Sequence, residues 1–184
     1  MAYNEEVVSR QYPVVLFFVQ HLAYFQGLKA TVDRITNHKA FWTATVDGYL
    51  KLATIAWCKV FGSRKEDLHW AKTPTGNIPK QAKDDFRQRV LSHTGFTHEQ
   101  WETYHTKMLT FRDKYVAHLD LNKPFNEPVP SFDPALQIAY AYEEWAKELT
   151  QSVTWGQPTL SSVYKKGRDE ASSIVSQRAR RGRG

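Results

Sequence analysis

Residues 42–62 read WTATVDGYLKLATIAWCKVFG, and their spacing decides the fold. Trp42, Val46, Tyr49, Ala53, Ala56 and Val60 recur in steps of four and three. That is the period of one face of an α-helix, not the alternation of a strand. A helix this apolar must be covered along its seam by other helices, as in a bundle. On its other side Asp47 and Lys51 stand four apart, an ion pair suited to water. Asn37 and His38 mark the turn before the run, and Gly62 closes it.

The same spacing continues in both directions. Towards the N-terminus, Val15, Phe18, Leu22, Phe25, Val32 and Ile35 form the stripe of a first long helix, which Pro13 is expected to open. Towards the C-terminus, Ser63 and Glu66 have capping-box spacing and predict a short helix through Trp70. Thr73-Pro74-Thr75-Gly76-Asn77 reads as a loop, and a more polar helix follows from about Pro79 to His93. After Gly95, Thr97 and Gln100 cap a helix to about Leu119 with the seam Trp101, Tyr104, Met108, Phe111 and Tyr115. Pro124, Pro128 and Pro130 make 122–131 a loop, and Asp133-Pro134 then starts a helix lined by Ile138, Tyr142, Trp145 and Leu149. A weaker helix is expected after Pro158, to about Ser176. The expectation is an all-α bundle of four long helices with one or two accessory helices. Residues 1–177 make one domain, and residues 178–184 make an Arg/Gly tail without order of its own.

Composition narrows the function classes. With 184 residues, 41% of them hydrophobic, the chain can bury one sizeable core. Its longest apolar run, Val14 to Val19, is far short of the roughly 20 residues of a membrane span. No basic region followed by an apolar run opens the chain, so a secretory leader is not expected. Cys58 is the single cysteine and rules out an internal disulfide, so the cytoplasm is the expected compartment. The net charge of +6 includes Arg178, Arg180, Arg181 and Arg183. Without those four, 21 Lys+Arg face 19 Asp+Glu, so residues 1–177 are close to neutral and the basic excess belongs to the tail. The nine glycines form no phosphate-cradling loop, and no cofactor is expected.

Residues 111–120, FRDKYVAHLD, carry the functional case. Arg112 is a permanent cation whose forked donors fit a phosphate. His118 is a side chain suited to moving protons near neutral pH. Together they suffice for cleaving RNA through its own 2′-hydroxyl without a metal, and Asp113 is placed to orient either one. On a straight α-helix six residues turn about 600°, leaving the two side chains about 120° apart. Spacing alone therefore does not make them converge. They meet if the seam ends in a groove or if two copies of the helix face each other. The structural alternative is a core or cap histidine beside an arginine that lays its stem on the seam.

The segment resembles the R-x(4–6)-H signature of HEPN (higher eukaryote and prokaryote nucleotide-binding) domains. Arg112-Asp113 through Ala117-His118 matches the polar residue after Arg and the small or apolar stretch before His. The specific match covers about ten residues. More loosely, Asp47 to Gly62, with Trp57, Phe61 and Gly62, is similar to the helix before the motif in abortive-infection-type members, so the looser likeness spans residues 40 to 120 or so. The resemblance implies an all-helical homodimer with its two motifs facing across a cleft. It implies a metal-independent endoribonuclease of toxin or defence type, or an RNA-binding relative without activity. Arg112 would hold the scissile phosphate and His118 would act as acid or base. An antitoxin or nucleotidyltransferase partner belongs to the same expectation. Some such toxins carry a modifiable Tyr two residues after the His, where this chain has Asp120.

Two further constellations are weaker. His98, Glu102 and His105 share a helix face at spacings of four and three, open to a metal but lacking the His-Glu-x-x-His order. A solvated face is the expected reading there, and no metal is expected. Cys58 sits inside the apolar run and reads as a buried thiol. The competing functions are a catalytically silent helical dimer that binds a protein partner and a metal-dependent four-helix enzyme.

Overall fold

The computed structural model of the chain describes residues 3, 5–34, 37–73, 80–117, 128–150 and 158–181. Six α-helices run α1 Glu5–Lys29, α2 Lys39–Phe61, α3 Lys80–Thr94, α4 His98–Phe111, α5 Asp133–Leu149 and α6 Leu160–Arg181. Short 3₁₀ turns cover Val32–Arg34 and Trp70–Lys72, and a π-helical segment, Arg112–Ala117, continues α4. No strand occurs among the described residues. The expected all-α bundle is present: α1, α2, α5 and α6 are its longer helices, and α3 and α4 the shorter ones. None of the described helices is long and apolar enough to cross a membrane.

Helix α1 is the axis, with α2 and α6 packed along it, while α3 packs along α5 and the π segment lies on α2. Phe18 and Leu22 of α1 meet Trp57 and Phe61 of α2, Phe86 of α3, Phe111 of α4 and Tyr142 and Trp145 of α5 in one buried cluster. Each such side chain stabilises the fold by roughly 1.5–3 kcal/mol relative to exposure. The α2 seam read from sequence points inwards, with Ala53, Ala56 and Val60 buried.

Four local expectations differ from what forms. The first helix begins at Glu5 and carries Pro13 inside it. An interior proline removes a helical hydrogen bond and crowds the carbonyl four residues back, a cost of about 3 kcal/mol. The added turns offset it by burying Val8 and Gln11. Gln11 Nε2 donates to the carbonyls of Leu68 and His69, both at 3.1 Å, while its Oε1 accepts from Thr73 Oγ1 at 2.6 Å and from the Tyr142 hydroxyl at 2.8 Å. That network also explains the second difference. Residues 63–69 form turns rather than a helix: the Ser63 and Glu66 carbonyls close single turns, and those of Leu68 and His69 turn inwards to Gln11. His69 then caps the 3₁₀ turn, its Nδ1 accepting from the Ala71 N–H at 3.1 Å.

The third difference is α4, which keeps its predicted Thr97–Gln100 capping box but gives way to the π segment after Phe111. The fourth is α6, which passes Ser176 and continues to Arg181, taking in residues 178–181 of the basic stretch. It packs through small residues. A Cβ added at Gly27 of α1 would lie 2.6 Å from the Arg168 carbonyl oxygen, and one at Gly167 would lie 3.1 Å from the Ala23 Cβ. Such close approach leaves little apolar seam for a sequence to display. The Pro/Gly stretch 74–77, residues 122–127 of the proline-rich loop, His118 and Asp120 lie outside the described residues.

Candidate functional site

Arg112 stands at the junction of α4 and the π segment. Its backbone N–H reaches the carbonyls of both Leu109 and Met108, the bifurcated bond of a helix changing its pitch. From there i→i+5 bonding widens the turn, a feature that recurs at functional sites. The α-helical angle between Arg112 and His118 therefore does not carry through residues 112–117.

The π segment is pinned to α2 by an interaction that the sequence spacing conceals. The Tyr115 hydroxyl donates to Asp47 Oδ1, and Lys51 Nζ lies 2.7 Å from Asp47 Oδ2. Lys51 also stands over the Tyr115 ring, 5.1 Å from its centroid, and Tyr115 stacks on Phe111 at 5.0 Å. Burial first, and then the Asp47 hydrogen bond and charge, push the Tyr115 hydroxyl up to about 12, so it remains a donor. The Asp47–Lys51 pair forms as its spacing predicts, but half-buried under Tyr115 rather than in open water.

The Arg112 guanidinium is held along one edge. Nε and Nη2 both approach Asp113 Oδ1 at 2.7 Å, and Nη1 lies 3.9 Å from Glu66 Oε1 in the 62–73 loop. The Asp113 contact is a charge-assisted fork; the Glu66 distance is too long for a hydrogen bond. The hydrogen bond to Asp113 raises the Arg112 pKa further and keeps its charge permanent. The side chain is about a quarter exposed, at 23%. Its Nη1 edge can therefore take an anion by displacing Glu66, while Asp113 holds the opposite edge still.

The loop facing Arg112 is fixed from beneath. His105 Nε2 lies 2.9 Å from the Phe61 carbonyl and 3.0 Å from that of Gly62, so it donates into the C-terminal end of α2. It packs between Trp57 and Trp101. That occupies the one member of the His98, Glu102, His105 set that is not on the open surface. Cys58 is buried, and desolvation pushes its thiol up to about 12 against the pull of Arg112, so it is a neutral core group as its apolar neighbours predict.

Of the three predicted site residues, Arg112 and Asp113 are in direct contact, and His118 lies outside the described residues. Asp113 orients Arg112. The sequence reading missed Glu66, assigned to a cap, and the engagement of Asp47 by Tyr115. Their partners are 46 and 68 residues away in the chain, beyond any local spacing rule. No protein-family model, curated protein or solved structure matches the chain.

Proposed function

We propose that the chain is a HEPN-like, metal-independent endoribonuclease or RNA-binding protein of a defence or toxin type, acting as a homodimer. The observation that carries this reading is the Arg112 guanidinium, clamped by Asp113 along one edge and open to an anion along the other, at the start of a π-helical turn. In this mechanism Arg112 holds the scissile phosphate through Nη1. His118 takes the proton of the attacking 2′-hydroxyl, or returns one to the leaving 5′-oxygen, and the product is a 2′,3′-cyclic phosphate. Asp113 keeps the guanidinium in position. The second copy supplies the facing motif of the cleft. An antitoxin partner fits a toxin role. Control by a nucleotidyltransferase is not carried over in its usual form, because Asp120 stands where the modified Tyr would be.

The alternative is a silent dimeric interaction module. Its support is a set of large apolar side chains on one side of α2, Phe41, Leu52 and Ile55, that are exposed to solvent. The two readings part in one experiment. Total RNA is incubated with wild type and with His118→Ala in excess chelator, and product ends are analysed. Cleavage with cyclic-phosphate ends in the wild type alone supports the nuclease; intact RNA in both leaves the module. Light scattering that returns 21.3 kDa at micromolar concentration would count against a shared cleft in either reading.

A further inference from the structure

A second polar site lies on the 62–73 loop, built from different residues. A cavity of about 220 Å³ opens between this loop and α3, lined by Arg64, His69, Ala71, Lys72, Lys83 and Arg87. Among the described residues no acidic side chain lines it, and four of the six that do are Arg or Lys. Two of those charges are matched nearby: Lys72 Nζ lies 3.6 Å from Asp67, and Arg87 Nη1 lies 2.6 Å from Asp84. Arg64 and Lys83 have no ion-pair partner among the described residues. Among the described residues, the wall therefore carries two positive charges without an ion-pair partner.

The cavity also has fixed geometry. The Arg87 guanidinium stands 5.8 Å from the centre of the Trp70 ring, and its bond to Asp84 sets its direction. His69 in the wall is buried, with Nδ1 accepting from the Ala71 N–H, so the ring is locked in one orientation. Burial first, and then the charges of Arg64, His105 and Lys72, lower its pKa to about 4. His69 therefore shapes the wall as a neutral ring and adds no charge to it. The buried loop carbonyls bonded to Gln11 hold the backbone of this wall in place.

We propose that this cavity binds a phosphate monoester dianion, with Arg64 and Lys83 as the free cations and Arg87 as the oriented fork. Two unmatched charges complement a group carrying nearly two negative charges, and a phosphomonoester carries about −1.5 to −2 at pH 7. A diester carries one charge and would leave the wall half-neutralised. At about 220 Å³ the cavity has room for one terminal group rather than for a strand passing through. The ligand is thus a free phosphate compound or the 5′-phosphorylated end of an RNA. The inference stands apart from the reading of Arg112.

The test is equilibrium dialysis of the full chain against labelled inorganic phosphate, adenosine 5′-monophosphate, and a short single-stranded RNA with a 5′-phosphate or a 5′-hydroxyl. One saturable phosphate per chain is expected. Its affinity should fall at least tenfold in Arg64→Ala and in Lys83→Ala. It should be unchanged in Arg10→Ala, whose charge pairs with Glu6 on α1. Both site residues are partly or fully exposed, and unchanged circular dichroism checks that the variants fold. Phosphorylated RNA binding tenfold tighter than either small molecule and than its 5′-hydroxyl counterpart, with that advantage lost in Arg64→Ala and Lys83→Ala, would identify the chain end as the source. Equal affinities for the three phosphates would identify a free phosphate compound. Absence of saturable binding by any probe, or binding unchanged in both cavity variants, overturns the proposal.

Discussion

At Gln11 a polar side chain is completely buried and both its amide atoms are engaged, by two carbonyls and two hydroxyls from two separate parts of the chain, the 62–73 loop and α5. At Arg112 a polar side chain is partly exposed, bonded firmly along one edge and loosely along the other. Both grip the same loop, Gln11 from inside and Arg112 from outside. The difference separates structural polarity from available polarity. A buried group whose partners are all present cannot accept a ligand without breaking the fold. A partly solvated group facing a carboxylate at 3.9 Å can exchange that carboxylate for another anion at little cost.

The largest effect should therefore come from the inner site. Gln11→Ala removes the partner of two carbonyls and two hydroxyls in the core, each of which costs about 1–3 kcal/mol when left unpaired. Allowing for relaxation, we expect a loss of about 3–5 kcal/mol in urea unfolding, in the range of severe core mutations. A loss below about 1 kcal/mol would show that water replaces the amide, and would remove the contrast with Arg112.

A smaller effect belongs to His69, which sits between the two regions. Its pKa is lowered from 6.5 to about 4 in the folded chain, chiefly by burial. The unfolded chain then binds a proton below pH 6.5 that the folded chain refuses until about pH 4. Stability from neutral His69 is thus complete above pH 6.5 and is lost as pH falls through that window, by about 3 kcal/mol at most. His69→Asn keeps an acceptor for the Ala71 N–H and cannot titrate. The gap in unfolding free energy between the two proteins should shift against the wild type on going from pH 7 to pH 4.5. Parallel pH profiles would mean that burial does not lower the His69 pKa.

The outer frame of the molecule was legible because it is periodic. The α2 seam, the Thr97–Gln100 box and the line Tyr104, Met108, Phe111 follow from local spacing: the box forms, the line is buried, and the seam is buried at Ala53, Ala56 and Val60 and partly buried at Trp42, Val46 and Tyr49. Gln11 gave no signal, since one glutamine in a helix is ordinarily solvated and its partners lie up to 131 residues away. Helix α6 looked weak because it packs through Gly27, Gly167 and Ala171 instead of a broad apolar stripe. The π segment was invisible for a related reason: its register is tied to Asp47, 68 residues earlier. The basic cavity draws Arg64, Lys72, Lys83 and Arg87 from a turn and a helix face, where each alone reads as solvated charge. Arg112 and Asp113 were legible because adjacent residues of opposite charge need no tertiary partner to meet.

The smallest stability effect should be at Arg112, and there the comparison is most exposed to failure. Arg112→Ala deletes one forked contact to a sequence neighbour and one loose pair, both reachable by water. Exposed pairs of this kind contribute about 0–1 kcal/mol, so urea unfolding should move by no more than that. RNA binding should respond in the opposite sense, weakening at least tenfold if the guanidinium grips a phosphate. Arg112→Lys sharpens the test, because an ammonium keeps the charge but cannot bond Asp113 along one edge and a phosphate along the other. Binding in that variant should stay well below wild type although its net charge is unchanged. Glu66→Gln should move the other way, since it removes the carboxylate that competes for Nη1. Should Arg112→Ala instead unfold the protein as readily as Gln11→Ala, while RNA affinity per folded molecule stays constant, Arg112 would belong with the structural network and the site would have to be sought elsewhere.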